Sequence, residues 1–344
     1  MLIVRPVEKK DLSDLLSLAK RAGVGLTTLP KDKKVLAEKI EASLSAFKNK
    51  PKLDQKAFYL LVLEDVEKKK IVGTSGIAVG VGIDKPFYTY RLLHITHENR
   101  EMKKRVDTEL LQISNDFVGA TEISTLFLAP EYRKSAAGRL LAKARYLLIA
   151  AHRDRFSDTI ISEIRGWIDD KGKSPFWEGV GRHFFDMDFE QADQINGQGN
   201  TQFIMDLMPH HPLYTCMLPA SARDVIGRPH DSALPAVRLL EGEGFRYVGA
   251  VDIFDAGPTF EVHKELLWSV RKSIETSLGG VVDGVAASQE KMVANASLKA
   301  FKVVLGDVVE TAGGYWVSSD IATALHVKKG DKIIFTPLHK PKEV

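Results

Sequence analysis

Cysteine is almost missing: Cys216 is the single thiol in 344 residues. One thiol excludes an intrachain disulfide framework and a thiolate metal cluster within one chain, so a reducing compartment is expected. Long apolar runs are lacking too, and none approaches the roughly 20 residues a membrane-spanning helix needs. The N-terminal stretch MLIVRPVEKKDL acquires charge too early for a secretory apolar region, which makes the cytoplasm the default. There is no excess of one charge. Lysine and arginine number 48 against 45 acidic residues, which offers no nucleic-acid footprint and no field for an anionic membrane. Any anionic ligand must therefore be met by local groups. Also absent are internal repeats, low-complexity segments, a G-K-S/T phosphate loop and a G-x-S-x-G nucleophile elbow.

What is present is an α/β pattern. LIVR at residues 2–5 reads as a short strand, and Leu12, Leu15, Leu16 and Leu18 follow a helical period. A Lys-rich helix spans Leu36 to Phe47. FYLLVLED and KKIVGTSGIAVGVG form a hairpin about a charged turn, and PFYTYRLLHIT, residues 86–96, is a further extended stretch. EISTLFL, residues 122–128, alternates, and a helix follows from Ser135 to His152 with Leu140, Leu141, Ala144, Leu147 and Leu148 on one face. The order is thus β, α, α, β, β, β, β, α by residue 152. TIISEIRGWI is a strand, and ALPAVRLLEGEGFRYVG is a helix stopped at Gly244 with a strand from Phe245. VDIFDAGPTFEV continues extended, with Asp252 and Phe254 on one face and Ile253 and Asp255 on the other. Residues 276–287 shift to glycine and small side chains, and the tail from Leu298 reads as a small β module. The division expected is 1–275 for the main region and 276–344 for the module.

Chemistry concentrates in STLFLAPEYRKSAAGRLLAKARYLL, residues 124–148. A strand ending at a proline, a basic pair and a small-residue entry to a helix present free backbone N–H groups where the helix dipole is positive. Arg133, Lys134, Ala136 and Gly138 would suit a pyrophosphate, small side chains letting phosphate approach the main chain. The plain alternative is an ordinary helix entry with solvated basic residues.

The spacing R-x-x-A-x-G, the strand and helix of IVRPVEKKDLSDLLSLA and the helix and strand of PAVRLLEGEGFRY resemble the acyl-CoA N-acyltransferase superfamily. TLFLAPEYRK, SPFWEGVGRHFF, FIMDLMPHHPLY, DVIGRPH and EGFRYVGAVDIFDAGPT are more specific, and resemble the arginine N-succinyltransferase family in register from residue 1 to about 275. The resemblance implies a GNAT-like core, a mixed and largely antiparallel sheet flanked by helices, with the β module appended. It implies succinyl transfer from succinyl-CoA, as co-substrate and with no permanently bound cofactor, to the α-amino group of L-arginine. A homo-oligomer, or a hetero-oligomer with a related subunit, is implied as well. His230 falls at the family's proton donor and Leu126 at its succinyl-CoA contact. Pro229 stands where the family has Val, and Ala256 where it has Gly.

Three needs follow from the chemistry. Acyl transfer to an amine requires a neutral nucleophile, a held oxyanion and a proton for the departing thiolate, and a histidine can supply the last. A guanidinium wants planar carboxylates, for which Asp252, Asp255 and Glu261 are candidates. A succinyl carboxylate wants a cation or N–H pair, for which Arg182 and His183 are candidates. An acyltransferase using ornithine or another amine, and a non-catalytic partner chain, are the rival readings. His94 with His97 and the adjacent His210 and His211 lack metal-ligand geometry. Cys216, in apolar YTCMLP, is expected to be a buried, inert thiol.

Overall fold

The computed structural model describes residues 1–22, 28–49, 55–133, 135–197, 202–284 and 290–340. The chain opens with β1 (Leu2–Pro6), α1 (Leu12–Arg21) and α2 (Lys33–Lys48), followed by β2 (Ala57–Asp65), β3 (Lys70–Val79), β4 (Thr89–Asn99), β5 (Lys104–Ser114) and β6 (Thr121–Leu128). After α3 (Ala137–Ala151) and β7 (Thr159–Glu163) come α4 (Pro175–Gly179), α5 (Arg182–Phe185), α6 (Phe189–Gly197), α7 (Gln202–Leu207), β8 (Leu213–Tyr214) and α8 (Ala220–Arg223). Then follow α9 (Leu234–Glu243), β9 (Arg246–Asp252), β10 (Pro258–His263), α10 (Trp268–Arg271) and β11 (Ile274–Val281). The tail holds β12 (Lys291–Asn295), β13 (Val303–Gly306), β14 (Val308–Thr311), β15 (Gly314–Val317), α11 (Ser319–Leu325) and β16 (Lys332–Pro337).

These strands join in one sheet, ordered β14-β15-β11-β16-β12-β13-β1-β2-β3-β6-β7-β10-β9-β4-β5-β8. Its pairings are antiparallel except β6 with β7 and β11 with β15. This is the expected mixed, largely antiparallel sheet with helices on its faces. Among the described residues five strands rather than four separate α2 from α3: β5 pairs with β4 from Thr89–Ser114 to Asn99–Lys104. KRVDTELLQIS hides this strand from a hydrophobicity reading, because its first four residues are exposed.

The apolar run of β2 is buried on both faces, and alternation divides it. Leu61 and Leu63 face the core of α3, with Leu140, Leu141, Leu147 and Leu148, whereas Leu60 and Val62 meet Leu15 and Leu18 of α1 and Leu36 and Ile40 of α2. A second core gathers under α4 to α7. Trp177, wholly buried, stacks on Phe185 and Phe254 with centroids 5.2 and 5.6 Å away, and its Nε1 donates to the Met187 carbonyl. Gly244, at φ 101°, ends α9 as expected and turns the chain into β9. The tail reaches the main core directly: Met292, Ala294, Phe301, Val303 and Ile334 pack in the cluster of α3.

Candidate active site

β6 and β7 are paired only at Thr121–Ile160 and Glu122–Ile161, and then part. Beyond that point side chains take over the strand's exposed carbonyls. Ser162 Oγ donates to the Ile123 carbonyl at 3.2 Å, and buried Arg145 of α3 reaches that of Ser124 at 3.4 Å. The other edge of β6 is bulged. Thr74 of β3 pairs with Phe127 and Gly76 with Ser124, so Thr125 and Leu126 together oppose Ser75. Thr125 adopts φ 55° while buried, a conformation costly for a β-branched residue and characteristic of functional turns. The bulge thus re-aims the main chain at half-buried Leu126, at the mouth of the splay.

His230 stands on the opposite wall. The N–H of Ile164 donates to Pro258 on the β10 side, so by alternation the main-chain groups of Arg165 and Trp167 face the side β6 has vacated. The segment 228–230 fills that place. The His230 N–H donates to the Arg165 carbonyl at 2.9 Å and that of Trp167 to the Arg228 carbonyl at 3.1 Å, about a bridge between Gly166 and Pro229. The bonds come from residues flanking Pro229, so a proline there forfeits no donor. The Ser232 N–H donates to His230 Nδ1, with Ser232 Oγ 2.7 Å from the same atom. The neutral ring therefore carries its proton on Nε2. Partial burial, then the nearby Arg165 guanidinium, hold its pKa below the usual histidine value.

The turn after β9 closes the floor. Strand alternation stops at Asp252: Ile253 to Asp255 form a turn, so Asp252 and Asp255 converge instead of facing apart. Asp252 Oδ1 accepts from the N–H groups of Phe254 and Asp255 at 2.7 and 2.9 Å. Asp255 accepts from Gly166 and Gly257, both at 2.8 Å, and so ties the turn to the end of β7. Ala256 sits at φ 54°, the left-handed region, which accounts for the glycine expected there. The Gly227 N–H donates to the Ala256 carbonyl at 2.9 Å, joining the His230 segment to this turn.

Two carboxylates not anticipated from the sequence lie beside them, Glu122 on β6 and Glu163 on β7. Both are recessed yet keep some accessible surface, as groups on a cleft floor do. Burial raises the pKa of Glu163 well above the ordinary value, with Asp252, Glu122 and Asp255 adding repulsion. Burial likewise raises Glu122, Asp252 and Asp255, the backbone bonds to the two aspartates pulling the other way. Asp193 of α6 is pushed up to about 7, by burial and then Asp252. On the cationic side Lys39 is lowered to about 8 by burial, against Glu122, and Arg165 is lowered by burial, against Asp255 and Asp193.

Glu261 pairs with Ile161 and lies two residues beyond Thr259 on β10, so it shares the face of Glu122 and Glu163, one step toward the closed end of the splay. The other expected residues lie apart. Arg182 is engaged by Glu178 at 2.8 Å and by Asp188, and His183 is exposed on the same short helix. Arg133 donates to the Leu128 carbonyl at 3.0 Å, and Lys134 lies outside the described residues. Ala136 immediately precedes α3, and a Cβ at Gly138 would touch only Leu128, at 3.7 Å, so the first turn of α3 is open. Cys216 is exposed, contrary to expectation, because β8 is the short edge strand of the sheet and the turn after it faces outward. A surface hollow of about 410 Å3, lined by Ala150, Arg153, Ser273 and Glu275 among others, lies at the C-terminal end of α3 and contains none of the residues above.

The chain matches the family described as arginine N-succinyltransferase beta subunit over residues 2–268, and that family's C-terminal domain over residues 278–337. It is 41% identical to an arginine N-succinyltransferase of Yersinia enterocolitica, covering 99% of both chains. An arginine N-succinyltransferase of Escherichia coli is 40% identical, with 97% of this chain and 96% of that one covered. A solved structure, the arginine/ornithine succinyltransferase subunit AI of Pseudomonas aeruginosa, superposes with a TM-score of 0.89 at 29% identity and 99% coverage of both chains.

Proposed function

The chain belongs to the arginine N-succinyltransferase family, and from that premise we propose that it transfers the succinyl group of succinyl-CoA to the α-amino group of L-arginine. The observation that carries this is the splay itself: a bulged strand at Thr125 and Leu126 on one wall and His230 on the other. The thioester lies between them. Its oxygen takes a main-chain N–H at the bulge as negative charge develops, and Leu126 supplies an apolar wall. The CoA phosphates meet the start of α3, where first-turn N–H groups lack intrahelical partners, together with Arg133, Ala136 and Gly138.

The neutral amine attacks the thioester carbon to give a tetrahedral ammonium adduct, which loses one N–H proton to solvent. The C–S bond then breaks, protonated His230 gives a proton to the thiolate as the amide forms, and the neutral ring takes a proton back from solvent. Its lowered pKa makes the protonated ring a stronger acid. The acceptor enters over the acidic floor at Asp252. Ornithine, named with arginine for the Pseudomonas subunit, is the rival acceptor. The working species pairs this chain with itself or with a related subunit, which the mass of the purified protein decides.

The test is thiol release from succinyl-CoA by the single chain, with L-arginine, L-ornithine or no amine. Arginine-dependent release is expected, and a folded His230→Ala variant is expected to lose about 100-fold or more in kcat. Near-normal turnover by that variant would remove His230 from the mechanism.

A further inference from the structure

The acidic floor has a second property, fixed by strand register. Thr259 of β10 is paired with Glu163 of β7 on one side and Ala250 of β9 on the other, and Asp252 is paired with Thr89 of β4. Directly paired residues share a sheet face, as do residues two apart on one strand. Glu163, Thr259, Asp252 and Thr89 therefore line one face across four neighbouring strands. Glu122, paired with Ile161 two residues before Glu163, extends the row.

Two independent facts show that this row lacks its partner. Thr89 and Thr259 are wholly buried, and neither hydroxyl has a hydrogen-bond partner among the described residues. Buried hydroxyls are ordinarily paired, because leaving one unpaired forfeits its bond to water. Glu163 likewise makes no hydrogen bond or ion pair among the described residues, and Glu122 makes no hydrogen bond there and faces the charge of Lys39, whereas Asp255 is saturated by main-chain N–H groups. Among the described residues no group of three or more carboxylate or histidine side chains is placed to hold a metal ion. Acceptors in excess, set side by side, call for an organic cation with several donors.

We propose that Glu163 and Asp252, with the hydroxyls of Thr259 and Thr89, seat the charged side-chain end of the acceptor amino acid. This rests on the acyl-transfer reading above and adds which end of the acceptor lies where. The reacting α-amine must be neutral to attack, and a row of carboxylates would hold it as an ammonium ion. The seat therefore serves the group that stays charged throughout. A guanidinium offers five donors in a planar fork, matched to paired carboxylate and hydroxyl oxygens. Position agrees as well. Arg165, whose carbonyl anchors His230, lies two residues beyond Glu163, about 6.6 Å along an extended strand, the order of an extended arginine side chain.

L-Citrulline tests this, since it keeps the length and shape of arginine and lacks the charge. Wild-type protein is expected to release thiol from succinyl-CoA with arginine far more efficiently than with citrulline. Glu163→Gln is expected to raise the KM for arginine about 100-fold while leaving the KM for succinyl-CoA and the weak citrulline rate within a few-fold of wild type. Thr259→Val, nearly isosteric, is expected to raise the arginine KM about 10-fold and decides the matter if Glu163→Gln fails to fold. An unchanged arginine KM, or equal losses on arginine and citrulline, overturns the seat while the acyl-transfer reading stands. Wild-type protein that releases no thiol with arginine overturns both.

Discussion

Adding one methyl group at either of two glycines should have opposite effects. A Cβ on Gly166 would lie 2.2 Å from the Asp255 carbonyl oxygen and 2.7 Å from both Asp255 Oδ1 and the Gly257 nitrogen. Main chain and a saturated carboxylate cannot yield as a flexible side chain can, so the end of β7 and the turn after β9 must separate by about 1 Å to restore contact distance. Overpacking of that kind together with a weakened Asp255–Gly166 bond costs about 2–4 kcal/mol. A Cβ on Gly242, inside α9, meets nothing within 4 Å, so Gly242→Ala should stabilise by about 0.5–1 kcal/mol through helix propensity. Urea unfolding of the two variants beside wild type measures both signs. The functional cost separates further, because the Arg165 carbonyl beside Gly166 anchors His230. A displacement near 1 Å there should lower kcat on the order of 100-fold in the protein that remains folded, with Gly242→Ala unaffected. Gly166→Ala within about 0.5 kcal/mol of wild type and at full kcat would refute the view that this contact positions the histidine.

Asp193, with its pKa raised to about 7, binds a proton more readily folded than unfolded, so it detracts from stability progressively as pH rises from about 4 to 7. Asp193→Asn should therefore stabilise the protein at pH 8 and give no gain near pH 4, read from unfolding midpoints across that range; a gain independent of pH would contradict the assignment. Deleting residues 288–344 removes β13, which bridges β1 at Val4–Val303, and the Met292, Ala294 and Phe301 side chains packed under α3. Loss of soluble protein is expected, and a soluble, fully active truncation would sink this.

Elements with a clear hydrophobic period were legible in the sequence. β6 and α3 follow from alternation and a 3.6 period, and Gly244 announces the end of α9. β5 was not, because its first residues are polar on an exposed ribbon. The cleft was half legible. His230 and the strand carrying Leu126 could be found from local strings, whereas Glu122, Glu163 and Asp252 are far apart in the chain and become neighbours only when β6, β7, β10 and β9 take their places. No short window contains that information. The bulge was equally hidden: Thr125 offers no glycine to signal a left-handed residue. Pro229 and Ala256, read from the sequence as departures, are accommodated by main-chain bonds from flanking residues and by an alanine held left-handed.

The place of β1 between β2 and β13 governs the order in which the protein can be completed during synthesis. β1 keeps one edge open until residues 303–306 have been made, nearly 300 residues after it. Growing at roughly 5–20 residues per second, the nascent polypeptide carries an unpaired edge for tens of seconds, the kind of surface on which other strands add and aggregates begin. Synthesis of β13, rather than the folding of any early segment, is the event that lets β1 close its second edge.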